Sequence, residues 1–370
     1  MVRRAALGVF ILALLLVPYQ LDQFWISTGL FAMAAAIAAI GLTLLVGTTG
    51  QLSLGHAFFI MVGAYGYSYF AGDPPIKGFS SEQANGLQLN PILSLVLAVL
   101  AAGIAGAIFS PIAGRLKGIY LGLASLGLVF VGQHILQNIS ALTGGFNGRD
   151  AKEFAIGGFH FANTNPDNFD VFGVRYGQFE RLWYLGLVLV LLSWWLARNI
   201  IHSRPGRALQ AVRDSEIAAG VMGIDVRVYK AAAFTISSMF AGLGGALYAL
   251  AYEHIVPESF SFLFSIDFLV MIVIGGLGSV GGAIAGAVFV SALPLVLDHW
   301  SGSLPLVAAE GGSGLQAGQA ARLIYGAAVV VIMIYAPRGL AGLGQRFKTN
   351  KPRPQEPPAA PVPTTKESTA

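Results

Sequence analysis

The sequence predicts an all-α, polytopic transmembrane bundle, and three observations predict it. Hydrophobic residues make up 55% of the 370 residues and charged ones only 11%, against roughly 25% charged in a soluble domain. Apolar runs of the length that a hydrocarbon core of about 30 Å demands recur along the chain. Glycine is abundant, at 47 residues, which suits close helix–helix approach in lipid. A soluble chain of this size could not cover its surface with so few charges, so the bilayer is the solvent for most of it. Cysteine is absent, which excludes a disulfide framework, a thiolate metal site and a cysteine nucleophile.

Taken in order, the apolar runs place spans near 5–21, 25–47, 52–71, 91–110, 118–138, 182–199, 230–251, 265–280, 281–298 and 321–337. That is a bundle of about eight to ten spans within a membrane domain over 1–348. Arg3-Arg4 followed by apolar residues has the start of a signal peptide. Pro18-Tyr19-Gln20-Leu21 offers no small-residue cleavage site, so a retained first helix is expected. The eighth and ninth spans meet at Gly275-Gly276-Leu277-Gly278-Ser279-Val280-Gly281-Gly282, which reads either as a tight turn or as a break within the membrane. After Lys348 the chain turns Pro-rich and polar, and 349–370 reads as a disordered tail.

Orientation follows from Lys and Arg. With the N-terminus inside, the inner segments hold Arg3, Arg4, Arg115, Lys117, Arg198, Arg204, Arg207, Arg213, Arg227 and Lys230, and the basic tail joins them. The outer segments keep Lys77, Arg149, Lys152, Arg175, Arg181 and Arg322, spread over longer loops. Both ends are therefore expected on the cytoplasmic side of a cell membrane. Asp267 and Asp298 fall at span ends and read as interfacial.

Two loops are too long to be simple connections. Residues 139–181 carry Phe146, Phe154, Phe159, Phe161, Phe169, Phe172 and Phe179, which argue for a folded outer cap. Residues 200–229 form the one substantial inner loop and read as a pair of short amphipathic helices. Pro205 suits a first helical turn. Leu209 and Val212 share one face, and Ile217 and Val221 another. Asp214 and Ser215 can cap the second helix, with Glu216 near its positive end. Such a helix needs something to pack on: headgroups of anionic lipid, bound through its arginines, or a protein partner.

Glu216-x-Ala218-Ala219-x-x-x-Gly223 resembles the EAA loop of ABC importer permeases, the element that docks on the ATPase subunit. The stretch from Gly206 through Asp225 to Tyr229-Lys230, with Ala241-Gly242-Leu243-Gly244-Gly245-Ala246-Leu247-Tyr248, is similar to the LivM-type permeases of branched-chain amino acid importers. Gly47-Thr48-Thr49-Gly50-Gln51-Leu52-Ser53-Leu54-Gly55-His56-Ala57-Phe58-Phe59, Gly63-Ala64-Tyr65, Gly118-Ile119-Tyr120-Leu121 and Leu142-Thr143-Gly144-Gly145-Phe146-Asn147-Gly148 fit the same family, so the resemblance runs from about residue 25 to 345. Phe146, Arg149-Asp150 and the Pro-rich tail depart from it. The resemblance implies coupling to an ATPase through Arg207, Arg213, Asp214, Glu216, Ala218, Ala219 and Gly223. It also implies a related permease chain as a heterodimer partner, two cytoplasmic ABC ATPases that bind the ATP, and an extracytoplasmic substrate-binding protein. Leucine, isoleucine and valine are the favoured cargo; urea, short amides and other amino acids are the alternatives. Lipid surrounds the assembly, and neither a cofactor of its own nor nucleic acid is expected.

Between two apolar runs, Gly50–Gly55 is a glycine-and-hydroxyl interruption. Irregular backbone at membrane depth is tolerated only when buried in protein or lining a cavity. The segment either lines a substrate passage, with Gly50, Gln51, Ser53, Gly55 and His56 contributing, or is a turn at the interface. Gln133, His134, Gln137 and Asn138 cluster at the outer end of the fifth span, where they line the same passage or snorkel from a helix end. Glu253-His254 lacks spaced partners for a metal. Gly276–Gly281 matches G-x-G-x-x-G, but its flanks are membrane-length apolar runs rather than a soluble βαβ unit. No G-x-x-x-x-G-K-[ST] occurs, so the chain does not bind ATP in that manner. No hydrolytic constellation is evident, so an intramembrane enzyme is disfavoured. An ion-coupled carrier, whose mark would be a buried ionisable group at mid-span, is the rival reading.

Overall fold

The computed structural model describes residues 2–74, 85–162, 170–171, 174–300, 307–308, 315–335 and 339–346. The tail over 349–370, Lys77, Phe169 and Phe172 lie outside the described residues. The described chain is helical almost throughout, as the composition requires. Its helices are α1 (Val2–Gln20), α2 (Gln23–Thr49), α3 (His56–Ala71), α4 (Pro91–Arg115), α5 (Ile119–Asn138), the single turn α6 (Ser140–Thr143), α7 (Gln178–His202), α8 (Arg204–Asp214), α9 (Glu216–Val221), α10 (Val226–Tyr252), α11 (Phe262–Gly275), α12 (Val280–His299), α13 (Ala317–Tyr335) and α14 (Gly339–Arg346). Among the described residues, α2, α4, α5, α7, α10 and α12 are each long and apolar enough to cross a membrane; α11 and the apolar stretch of α13 are shorter.

The bundle has two ends. The α8–α9 hairpin lies at one, the basic end, beside the last turn of α2 and the first turn of α10. Residues 139–162 lie at the other, the cap end, beside the last turn of α3 and the residues after α10.

α2 and α10 form the centre, each 27 residues long and buried along most of its length. Both are apolar nearly all round and rich in Ala and Gly, the pattern of a helix enclosed by other helices. Small residues let them close on their neighbours. A Cβ on Gly63 of α3 would sit 2.1 Å from the Gly242 carbonyl, and one on Gly245 would sit 2.0 Å from the Ile60 carbonyl. The outward faces of α4, α5 and α7 carry Ile104, Ile108, Leu123, Phe130, Val188 and Trp195, all exposed, as a lipid-facing surface would be.

The chain repeats itself upside down. α2 runs into the basic end and α10 runs out of it. Each is followed by an irregular segment, a short helix of 16 or 14 residues, and two further long helices. α10 packs on α3 and α4, while α2 packs on α11 and α12, so each half clasps the long helix of the other. Inverted repeats with broken helices at their interface are a recurrent transporter architecture.

The glycine run between α11 and α12 is a tight reversal at the basic end. α11 stops at Gly275; Gly276 and Gly278 take φ of +106° and +82°, which side chains rarely adopt. Gly278 then lies against Gly47. Asp267 is not interfacial: it sits in the second turn of α11, where the Tyr325 hydroxyl of α13 donates to it at 2.6 Å. The short α11 explains the difference, because its start lies inside the bundle rather than at a surface.

The cap is pinned by Arg149. Gly144 and Gly148, both at positive φ, turn the chain so that Arg149-Asp150 pairs antiparallel with His254-Ile255. The Arg149 guanidinium is buried over the Tyr69 ring and donates to the carbonyls of Asn85 and Leu142. Burial lowers its pKa, with Tyr65, Tyr69 and Asp150 opposing. Phe154 is buried while Phe146 is exposed.

Candidate functional site

The irregular segment after α2 is not a surface turn. Gly50 caps α2 in the left-handed conformation, and the chain then runs back into the bundle. By His56 its imidazole Nε2 donates to the Ala38 carbonyl at 2.8 Å, eleven residues and about 16 Å up α2. α3 therefore begins half-way through the structure.

Freed backbone at that depth needs partners; side chains of two other helices supply two of them, and the segment's own side chains tie it to a third. Gln51 donates through Nε2 to the Ala113 carbonyl of α4 at 3.0 Å. The Leu54 amide donates to Ser125 Oγ of α5 at 2.9 Å, and the Ala57 amide to Ser265 Oγ of α11 at 3.0 Å. A Cβ on Gly55 would lie 2.4 Å from the Ser125 carbonyl, so only glycine fits. Ser53 Oγ is buried and makes no hydrogen bond to the described residues.

The cap end holds the counterpart. After Tyr252 the chain turns at Glu253, at φ +62°, and descends through residues 254–261 to the start of α11. Gln133 donates to the carbonyls of Pro257 and Phe260, both at 3.3 Å, and Tyr65 to that of Ile255 at 3.3 Å. The half-helices α3 and α11 meet mid-bundle, through Ala57 with Ser265 and through the rings of His56 and Phe268, 5.6 Å apart. Above them, Tyr248, Tyr252, Phe260 and Phe264 line a cavity of about 200 Å³ toward the cap.

Of the residues expected on a passage, Gly50, Gln51, Ser53, Gly55 and His56 are thus brought together, and Gln133 serves the opposite break. His134 parts from Gln133: it is exposed and pairs with Asn138. Ser125 and Ser265 escaped notice in the sequence because a serine inside an apolar helix carries no periodic signal. Only their contacts reveal them.

At the basic end the inner loop forms the two expected helices. Ser203 caps α8, accepting from the Gly206 amide, and Ser215 caps α9, accepting from Ala218. Asp214 is instead the last residue of α8, paired with Arg213 at 3.1 Å. Leu209, Val212 and Ala219 face inward and are buried; Ala218 is exposed. Arg207 donates to the His202 carbonyl at 3.2 Å. Gly223 ends α9 at φ +82°, a stop that favours glycine. Arg213 donates to the Gly47 carbonyl at 2.8 Å. Glu216 accepts from Lys230 and, at 2.7 Å, from Lys117. Burial would raise the Glu216 pKa, but the two lysines outweigh it and hold the carboxylate below its ordinary value. Ile217, Val221 and Met222 are left 82%, 84% and 67% exposed, too apolar a surface to face water alone.

Comparison with known proteins finds transport permeases. The chain is 30% identical over 354 residues to the high-affinity branched-chain amino acid transport system permease protein LivM of Escherichia coli, covering 90% of this chain and 74% of that one. It is 24% identical over 325 residues to a probable branched-chain amino acid transport permease protein LivM of Methanocaldococcus jannaschii (82% and 89%). It is also 24% identical over 252 residues to the ribose import permease protein RbsC of Escherichia coli (67% of each). No solved structure matches. Residues 25–335 match the family described as branched-chain amino acid transport system, permease component, and with the broken core and the inner hairpin in place, the chain belongs to that family of membrane-spanning ABC importer subunits.

Proposed function

We propose that this chain is one of two related permease subunits through which an ABC importer moves branched-chain amino acids into a prokaryotic cell. A soluble protein outside delivers the substrate, and two ATPases on the cytoplasmic side supply the energy. The observation that carries this reading is the hairpin at the basic end. A six-residue helix offers Ile217, Val221 and Met222 outward, in a family whose members are transport permeases. Charge bias puts that end, and both termini, in the cytoplasm.

ATP-driven movement of the ATPases would push on this hairpin and shift the balance between outward-open and inward-open states. A push shifts an equilibrium only through contacts that differ between the states. The two half-helices, held by a few side-chain hydrogen bonds at their mid-bundle ends, are the elements with contacts to exchange. Relatives named for branched-chain amino acids and for ribose align over 90% and 67% of this chain, which supports leaving much of the cargo choice to the delivery protein. The aromatic cavity at the cap end, about 200 Å³ in size, has walls that suit an aliphatic side chain.

The test is purification from native membranes through a tag on this chain, followed by transport in proteoliposomes with the copurified partners. Leucine uptake that requires ATP, and is competed by isoleucine and valine but not by ribose or urea, supports the reading. A preparation without an ATPase, or competition by urea alone, overturns it.

A further inference from the structure

α9 turns its one charge, Glu216, toward the membrane body and its large apolar side chains, Ile217 and Val221, outward, the reverse of a helix resting on water. Both Glu216 carboxylate oxygens are taken by lysines of the membrane body. Oε1 accepts from Lys230 in the first turn of α10, whose side chain is 3% exposed, and Oε2 from Lys117 in the α4–α5 turn, 69% exposed. Three residues earlier Arg213 donates to the Gly47 carbonyl in the last turn of α2, and its stem lies against Gly50. The hairpin is thereby fastened at two points, one on each of the two central helices.

We propose that Glu216 and Arg213 are positioning residues that make the α8–α9 hairpin a rigid bracket across α2 and α10, while the ATPase is met by Ile217, Val221 and Met222 and not by the Glu216 carboxylate. This rests on the ATPase-coupled reading above. A buried ammonium is costly without its counter-ion, so Lys230 keeps Glu216 through any movement of α10. Arg213 occupies one of the last carbonyls of α2, where a cation is favoured and a partner is otherwise lacking. One joint would leave a hinge. Two joints on different helices transmit displacement and orientation together, and α2 leads directly into the Gly50–Gly55 break.

The intact importer tests this with three readouts: ATPase recovered with the tagged chain, ATP hydrolysis, and substrate carried per ATP. The double variant Glu216→Gln with Lys230→Met removes the pair without stranding a buried charge. It is expected to keep the ATPase and its hydrolysis but to carry about tenfold less substrate per ATP, within the usual range of a coupling effect. The exchange Glu216→Lys with Lys230→Glu and Lys117→Glu, which gives the moved ammonium a carboxylate on both sides, is expected to restore most of that loss. ATPase missing from the double variant would make Glu216 a docking contact and overturn the proposal. So would unchanged transport per ATP, or an exchange variant that stays uncoupled. If the native chain itself recovers no ATPase, the underlying functional reading fails instead, and this is seen before any variant is made.

Discussion

At the scale of single residues, the cap turns on two side chains. Arg149 holds residues 142–150 to the bundle by donating to two carbonyls from a buried position. Arg149→Leu leaves those acceptors without their donor, which costs about 1–3 kcal/mol. The expected outcome is a lower melting temperature in detergent, with earlier proteolysis inside 139–162 than elsewhere. His254 lies between Asp150 at 2.6 Å and the Asn147 carbonyl at 2.8 Å. The hydrogen bond to Asp150 raises its pKa against the smaller effect of burial. A raised folded pKa means that the stabilisation is full below the unfolded value of 6.5 and is lost as pH climbs through the higher folded value. Because both side chains are largely exposed, the effect stays within about 1 kcal/mol. Amide exchange in residues 147–151 should therefore quicken as pH rises through neutrality, relative to the core. A His254→Gln variant should lose that dependence.

At the scale of elements, the decisive contacts are backbone against backbone. Gly63 of α3 and Gly242 of α10 touch so closely that a single added methyl at Gly63 meets a carbonyl at 2.1 Å. Nothing there is the flexible end of a side chain, so Gly63→Val must part the helices, at about 1–3 kcal/mol or more. Sharply reduced yield of folded protein on size-exclusion chromatography is expected. Gly220, with open space around its α-carbon, tolerates Ala in the same assay. For α9 the opposite outcome is expected: Ile217→Asp with Val221→Asp alters only exposed positions. The chain should fold and insert normally yet recover little or no ATPase, and normal recovery would remove α9 from the docking surface.

At the scale of the whole molecule, the inverted halves place two irregular segments and two half-helix starts against each other at the centre. An ion-coupled carrier built this way would put an ionisable pair there. Here that place holds His56 on a backbone carbonyl, with Ser265 and Ser125, while Asp267, two residues after Ser265, is tied to Tyr325 of α13. Leucine uptake is accordingly expected to stop when ATP is depleted with ion gradients held, and to survive collapse of the gradients while ATP is supplied. The reverse result would favour the carrier.

Composition and run length determined the class and the places of the helices, because a bilayer demands long apolar segments and the code for that requirement is local. The inner hairpin was legible for the same reason: Pro205, Ser215 and Gly223 act on their own backbone. Tertiary structure alone decided the rest. Whether Gly50–Gly55 is a turn or a break depends on where Ala38, Ala113 and Ser125 stand, and those residues are distant in the chain. That Asp267 lies within the bundle follows from α11 being a half-helix. The resemblance implies a coupling role for Glu216, but that its carboxylate is held by Lys117 and Lys230, from two other segments, only the packing shows. Apolar periodicity records only that a residue is buried. Which charged or polar group meets which is fixed by the crossing of α2 and α10, and no local pattern carries that crossing.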